Sequence, residues 1–210
     1  MRLKIIVITF LVFTIALLNC LAVSACSPQH GDSIELKAKK LKQYYLMSKS
    51  TTAAVADMYQ QKFFEEFPDN FKELNELYGD DTQNKKTAIL NDEAEKHIYK
   101  FFNNLKGIDD TLYYKKIINI AVGGKWDADA VNYFQHGLQS RVLTKPELTV
   151  FMLKKMNKND IGSLWNFYFD GPHPKNHFDP SLEKIKFIDG EIYKVMMASY
   201  KEELKAWEKE

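Results

Sequence analysis

The sequence predicts an all-α protein, a single-domain bundle of about seven to eight helices behind a cleavable leader. Three observations predict this class. From residue 34 onward, apolar residues recur every three or four positions, which is the period of one buried helix face. Glycines, prolines and capping residues interrupt that pattern where a helix would end or begin. Only residues 184–188 alternate apolar and polar side chains as a strand does, and one strand cannot form a sheet.

The first element is a secretory leader, residues 1–25. Arg2 and Lys4 precede an apolar stretch over residues 5–18, and this is the charge and length layout of a signal peptide. Two alternatives stay open. The apolar stretch, extended to Ala25, is about long enough to cross a bilayer as an uncleaved anchor. Alternatively, cleavage near Ala25 would release a freely secreted protein.

A lipobox-like motif closes the leader. Val23-Ser24-Ala25-Cys26 resembles the lipobox of bacterial lipoproteins, in which a branched residue and two small ones precede the acylated cysteine. The resemblance implies that Cys26 becomes the new N-terminus and carries the lipid, with palmitate among its acyl chains. Cys20 is the weaker candidate, because the bulky Asn19 before it fits a small-residue cleavage pocket poorly.

The residues around Cys26 also bear on location. Ser27 stands where a retention aspartate would follow the cysteine in enteric bacteria, so the resemblance implies the outer membrane, facing the periplasm. Residues 26–33, with Pro28 and Gly31, are expected to be the lipidated cysteine and a short polar tether. The remainder, residues 34–210, is the expected helical domain, and its core alone must stabilise it because it contains no cysteine.

The spacing of apolar residues divides this domain into predicted helical segments. In chain order they cover residues 34–47, 51–67, 69–78, 91–105, 111–122, 127–139, 145–156, 161–169 and 191–208. Ser50 or Thr51 caps the second segment, and Pro68 breaks it because the residue before a proline disfavours the helical basin. Gly79 occupies the position of a left-handed C-cap after the third segment.

Later segments carry equally specific end signals. Asp109 or Asp110 caps the segment that Gly123-Gly124 terminates. Thr144-Lys145-Pro146-Glu147 combines a threonine N-cap, a glutamate three residues on, and a proline in the first turn. We therefore expect a helix to follow Thr144, with Thr144 as its N-cap.

Composition excludes some classes of function. Removing residues 1–26 takes away two basic residues and no acidic one, which leaves 27 Lys and Arg against 28 Asp and Glu. This balance argues against a nucleic-acid-binding protein, which gains affinity from a basic excess. Gly123-Gly124-Lys125 lacks the rest of a phosphate loop, and a Gly-x-Ser-x-Gly nucleophile motif is absent. We expect no cofactor.

One segment concentrates the residue types that carry chemistry. Asp170, His173, His177 and Asp179 lie within ten residues, and carboxylate and imidazole are ligands of zinc and similar ions. Two prolines keep this stretch from being a helix, so the histidines lack the one-face geometry of a helical metal pair. A metal site and a structural loop, in which Asp170 turns the chain and Gly171 takes a positive φ, both stay open.

The aromatic residues just before this loop have two interpretations. Trp165, Phe167 and Tyr168 could bind a partner or stack on a ligand. The same spacing also fits a buried last turn of a helix, which is the commoner role of an apolar stripe.

These features favour a binding protein. The lipobox leader, the cysteine-free helical body and the phenylalanine-rich segments 63–79 and 165–174 resemble periplasmic immunity lipoproteins, which protect bacteria from toxins of neighbouring cells. The resemblance implies a membrane attachment through lipid and a protein partner. The alternatives are a metal-dependent hydrolase using the loop of Asp170 to Asp179, and a carrier that holds an apolar ligand between helices.

Overall fold

The computed structural model describes residues 30–81, 86–103 and 105–209, and for residues 30–32, 80, 81 and 86 only the backbone. The predicted leader, Cys26 and most of the predicted tether lie outside the described residues. Ile34–Glu210 forms one compact unit. Among the helices of the described ranges, none is both long enough and apolar enough to cross a membrane.

The predicted all-α class is confirmed. The described residues contain ten helices, somewhat more than predicted: α1 His30–Met47, α2 Ala53–Glu66, α3 Phe71–Tyr78, α4 Ala94–Asn103, α5 Asp110–Ala121, α6 Ala130–Thr144, α7 Pro146–Leu153, α8 Lys158–Phe169, α9 Lys184–Ile188 and α10 Gly190–Trp207. Short 3-10 turns cover Asn91–Glu93, Pro174–His177 and Pro180–Glu183. An antiparallel pair of two-residue strands, β1 Asp80–Asp81 and β2 Lys86–Thr87, connects α3 to the turn before α4.

Side-chain caps explain where several helices begin. Asp109 accepts hydrogen bonds from the N–H groups of Thr111 and Leu112, as predicted for the start of α5. Asn157 accepts from the N–H of Asp160 and starts α8. Each cap supplies a partner to an N–H group that has none within its own helix.

The predicted N-cap of α7, Thr144, is wrong, because Lys145 is the residue that precedes this helix. Thr144 is the last residue of α6, and its hydroxyl donates to the carbonyl oxygen of Ser140 at 2.7 Å. Helix α6 runs past its predicted end because Leu138 and Val142 continue its buried stripe. Pro146 does occupy the first turn of α7, as predicted.

Two further local expectations need correction. The alternating residues 184–188 form the helix α9, because the 3-10 turn Pro180–Glu183 leads directly into it and Ile185 is buried. Gly79 is extended, with φ −70° and ψ 172°, and not left-handed. Glycine is needed there for space, since a Cβ would stand 2.7 Å from the backbone carbonyl oxygen of Asn75.

Aromatic rings fill the core at two places. The ring of Phe101 in α4 lies 4.0 Å from that of Phe67 and 5.2 Å from that of Tyr113. The ring of Phe169 in α8 lies 4.9 Å from that of Tyr200 in α10. Rings in these geometries add to the stability that burial of their area provides. Around these clusters α4 packs against α6, and α8 packs along α10.

Candidate functional site

The loop predicted as a site, residues 170–179, follows α8 and packs against α10. Phe178 fixes it there, with its ring 6.3 Å from that of Phe169 and 4.8 Å from that of Tyr200. Both contacts are apolar, so the loop is held by packing as well as by its prolines.

Asp170 accepts hydrogen bonds from other parts of the chain, both on its carboxylate and on its backbone carbonyl oxygen. Its Oδ2 accepts the backbone N–H of Trp126 at 2.7 Å, and its carbonyl oxygen accepts Nε2 of Gln135 at 2.8 Å. The next residue, Gly171, has φ 116°, and a Cβ there would stand 2.7 Å from Cδ1 of Trp126. The predicted positive φ of Gly171 is confirmed, and only glycine meets both conditions without strain.

The two histidines have different surroundings. His173 is exposed, has a left-handed backbone with φ 66°, and its ring lies 5.6 Å from that of Trp207. His177 is half-buried, and its Nδ1 has no hydrogen-bond partner among the described residues. Burial lowers the pKa of His177, against a smaller opposing effect of a hydrogen bond with the Phe169 backbone. The two histidines therefore differ in exposure, and only His177 is partly enclosed by the fold.

The Asp179 carboxylate also accepts a hydrogen bond from a nearby residue. It is exposed, and its Oδ1 accepts the N–H of Ser181 at 2.7 Å. Hydrogen bonds from the Ser181 side chain and from this N–H lower the pKa of the carboxyl. Across the described ranges, no three His, Cys, Asp or Glu side chains are placed to hold a metal ion. The structure thus puts Asp170, His173, His177 and Asp179 in one loop but does not bring them to one point.

Glu203 of α10 is a member of this region that the sequence interpretation missed. Burial, together with the charges of Asp170 and Glu202, raises the pKa of its carboxyl to about 7. A carboxyl that titrates near neutral pH can take up or release a proton under physiological conditions. A signal was available, because Glu203 follows Met196 and Ser199 at helical spacing and so falls on the buried stripe of α10.

The candidate binding aromatics lie in the core. Trp165 and Phe167 have no exposed surface, and Tyr168 has almost none. Burial raises the pKa of Tyr168 beyond its ordinary range. The interpretation of these three rings as a partner-facing surface is therefore wrong, and the alternative of a buried last turn describes them.

The end of α8 is capped from another helix. The side chain of Gln135 in α6 donates to the carbonyl oxygens of Phe167 at 2.5 Å and Asp170 at 2.8 Å. One turn further along α6, Gln139 donates to the carbonyl oxygen of Tyr168 at 2.9 Å. The last carbonyl groups of a helix have no partner within it, so these two amides explain how α8 ends inside the protein.

One concave surface of the described residues is a groove between α4 and α6. It has a volume of about 440 Å³ and is lined by Glu95, Ile98, Tyr99, Phe102, Asn103, Tyr133, His136, Gly137, Ser140 and Arg141. We call it the α4–α6 groove. Its size is in the range of sites that hold a small ligand or a few side chains of a partner.

The floor of the α4–α6 groove is closely packed. A Cβ on Gly137 would stand 2.2 Å from the Phe102 ring, so glycine allows the two helices to approach closely. Arg141 donates to the carbonyl oxygen of Phe102, and its guanidinium lies 5.1 Å from the centre of the Tyr113 ring. These contacts fix the groove before anything binds.

The rim of the groove is aromatic and exposed. The Tyr99 side chain is 61% exposed and Tyr133 is 38% exposed, one on each helix. His136 and Ser140 are exposed beside them. Tyrosines combine a large apolar ring with a hydrogen-bonding hydroxyl, and both are suited to contacts with another molecule.

No family model, curated protein or solved structure matches the chain.

Proposed function

We propose that the protein is a bacterial lipoprotein whose helical domain binds a protein partner at the membrane surface. In this proposal a lipid on Cys26 anchors the chain in the outer membrane, facing the periplasm. The partner is a toxin or effector, which makes the protein an immunity or inhibitor protein. The anchor rests on the lipobox-like Val23-Ser24-Ala25-Cys26 and the toxin on the resemblance to immunity lipoproteins.

One observation carries the binding function: the α4–α6 groove exposes Tyr99 and Tyr133 above a fixed floor. A site that is already formed loses little conformational entropy on binding. Exposed tyrosines in such a place favour contact with a protein, because tyrosine is enriched at protein interfaces.

The local contacts of the 170–179 loop favour binding over metal-dependent hydrolysis. Asp170 and Asp179 accept hydrogen bonds from the backbone N–H groups of Trp126 and Ser181. A catalytic zinc needs three protein ligands that converge on one point with an open fourth position.

The anchor is tested by metabolic labelling with radioactive palmitate. We expect the wild-type chain and Cys20→Ala to incorporate label and to sediment with membranes, and Cys26→Ala to do neither. Cys20→Ala is the matched control, because it removes the other cysteine of the leader. Undiminished labelling of Cys26→Ala would rule out Cys26 as the lipidation site.

The binding surface is tested by photo-crosslinking in the native host. A benzoylphenylalanine replaces Tyr133 at the groove or, as a control, Phe187, which is 87% exposed on α9. We expect a discrete protein adduct from position 133 and none of the same mass from position 187. Equal adducts from both positions would contradict a partner seated in the groove.

The immunity role needs a growth experiment. Cells that lack the protein are co-cultured with the toxin-producing neighbour, and wild type or a Tyr99→Ala, Tyr133→Ala double variant is supplied in trans. We expect wild type to restore survival and the double variant to lose protection while accumulating normally. Survival that never depends on the protein would refute this role.

A further inference from the structure

Four lysines form a basic surface beside the α4–α6 groove. Lys96 and Lys100 are one turn apart on α4, Lys49 follows α1, and Lys106 follows α4. We call them the lysine row. On α4, Tyr99 lies between these lysines and the groove, because successive helix positions are rotated by about 100°.

Lys49 and Lys106, the two lysines outside α4, are each positioned by a specific contact. The ammonium of Lys49 lies 4.1 Å from the centre of the Tyr45 ring, and that ring lies 4.7 Å from the ring of His97 in α4. The backbone N–H of Lys106 donates to Oε1 of the buried Gln60 at 2.8 Å. The lysine row is therefore a surface of the fold, and not four unrelated side chains.

No acid neutralises the lysine row within the described ranges. Lys37 and Lys42, by contrast, each have a carboxylate partner, Glu73 and Glu93, both at 2.9 Å. For the four members of the row, no described carboxylate lies within ion-pair distance. Lys49, Lys96 and Lys106 are exposed to solvent, and Lys100 is half-buried.

The positive charge of the lysine row contributes to lowered pKa values of two ionisable groups, Lys100 and His97. Burial, with added repulsion from Lys49 and Lys106, lowers the pKa of Lys100. Burial, with added effects of Lys42, Lys49 and Lys96, lowers the pKa of His97 to about 4. Both shifts agree with a concentration of positive charge on this face.

We infer that the partner inserts an acidic segment with an aromatic side chain, its ring entering the α4–α6 groove and its carboxylates facing the lysine row. The inference rests on the proposed protein-binding function and specifies the partner's chemistry. Glu95 is the one carboxylate among the residues that line the groove. It lies five positions before Lys100 on α4 and so on the groove side, about 140° around the helix from it.

The shape of the site favours a peptide segment over a flat anionic lipid surface. Ile98 and Phe102 lie at the floor of the groove, and the exposed rings of Tyr99 and Tyr133 stand at its rim. A side chain that projects from a peptide can reach them while its neighbours contact the lysines. Complementary charge adds specificity and speeds association.

The test uses three labelled heptapeptides and the full chain in mild detergent. One peptide has a central phenylalanine flanked on each side by three glutamates; serines replace the glutamates in the second and lysines in the third. Fluorescence anisotropy at low salt measures binding. We expect the acidic peptide to bind at least about tenfold more tightly than the serine peptide, and the lysine peptide not to bind.

Variants assign the effect to the lysine row. We expect the Lys96→Glu, Lys100→Glu double variant to lose at least about tenfold in affinity for the acidic peptide, and the corresponding double glutamine variant a smaller factor. Lys201→Glu is the matched control, since Lys201 is exposed on α10. It should leave affinity unchanged. Circular dichroism checks that each variant is folded, and the glutamine variant provides the test if the glutamate variant is not.

Three results would overturn the inference. If the serine peptide binds as tightly as the acidic one, the groove binds the phenylalanine but the lysine row does not select for acidic residues. If no peptide binds while photo-crosslinking at position 133 still captures a partner, the acidic segment is wrong and the protein-binding function stands. If phosphatidylglycerol vesicles bind through Lys96 and Lys100 whereas the acidic peptide does not, the row faces lipid.

Discussion

The 170–179 loop and the surroundings of the α4–α6 groove both contain charged and aromatic side chains. In the loop these side chains mainly contact the fold, whereas around the groove they are mainly exposed. In the loop, Asp170 and Asp179 accept backbone N–H groups. Around the groove, Tyr99, Tyr133 and three of the four lysines of the lysine row are exposed. A dense run of chemically capable residues can therefore serve the fold, while a binding surface is assembled from residues far apart in sequence. The difference lies in the charged groups: the two carboxylates of the loop accept hydrogen bonds, whereas the ammonium groups of the lysine row have no described carboxylate within ion-pair distance.

The largest expected effect concerns the buried aromatics that precede the loop. Phe167→Ala should lower the free energy of unfolding by about 3–5 kcal/mol, because it leaves a cavity in the core. The Phe167 ring is fully buried and lies 5.6 Å from that of Phe71. Urea unfolding followed by circular dichroism measures the change. Phe187→Ala is the control, and a similar loss in both variants would contradict the assignment of Phe167 to the core.

Removing the Asp170 carboxylate should have a smaller effect. Asp170→Ala deprives the Trp126 N–H of its acceptor, which we expect to lower the free energy of unfolding by about 1–3 kcal/mol. Asp170→Asn keeps an acceptor oxygen and should recover part of the loss. Because the charge of Asp170 helps to raise the pKa of Glu203, both variants should also lower that pKa in an NMR titration. An unchanged Glu203 pKa would show that burial alone raises it.

Glu203 should make stability depend on pH. Its pKa is about 7 in the folded chain against 4.5 for an ordinary glutamate, so folding favours the protonated carboxyl. This contribution is fully present below the unfolded pKa and is lost as pH rises through about 7. With partial exposure of the side chain taken into account, we expect a loss on the order of 1 kcal/mol between pH 5 and 8. Glu203→Gln should remove it, and parallel stability curves for the two proteins would contradict the assignment.

The smallest effect on stability is expected at the groove rim. Tyr133→Ala should change the free energy of unfolding by no more than about 0.5 kcal/mol, because the ring is partly exposed. The same urea titration used for Phe167→Ala measures it. A loss comparable with that of a core aromatic would place Tyr133 in the fold and remove it from the binding surface.

Local signals predicted what local interactions determine. The three- and four-residue spacing predicts the helices, and the N-cap at Asp109 and the positive φ of Gly171 follow from the chemistry of single residues. Thr144 shows the limit. Its pattern fits a capping box, but the buried Leu138 and Val142 extend α6 through it. Tertiary packing outweighs a cap that contributes about 1 kcal/mol.

The candidate site was less predictable because its contacts join distant parts of the chain. The Gln135 side chain donates hydrogen bonds to carbonyl groups 32 and 35 residues away. The charge of Asp170, at the end of α8, helps to raise the pKa of Glu203 in α10. The groove depends on how closely Gly137 lets α6 approach Phe102. Helical periodicity says which face of α6 is buried but not which helix covers it.

The two glutamines of α6 have a consequence for how the molecule opens. Gln135 and Gln139 bind the end of α8, and Tyr133, His136, Gly137 and Ser140 on the same helix line the groove. The last turn of α8 cannot unwind without breaking its hydrogen bonds to the buried Gln135 and the half-buried Gln139, so both helices should belong to one cooperative unit in native-state hydrogen exchange. A partner seated on α6 would then slow amide exchange at the far end of α8, which it does not touch.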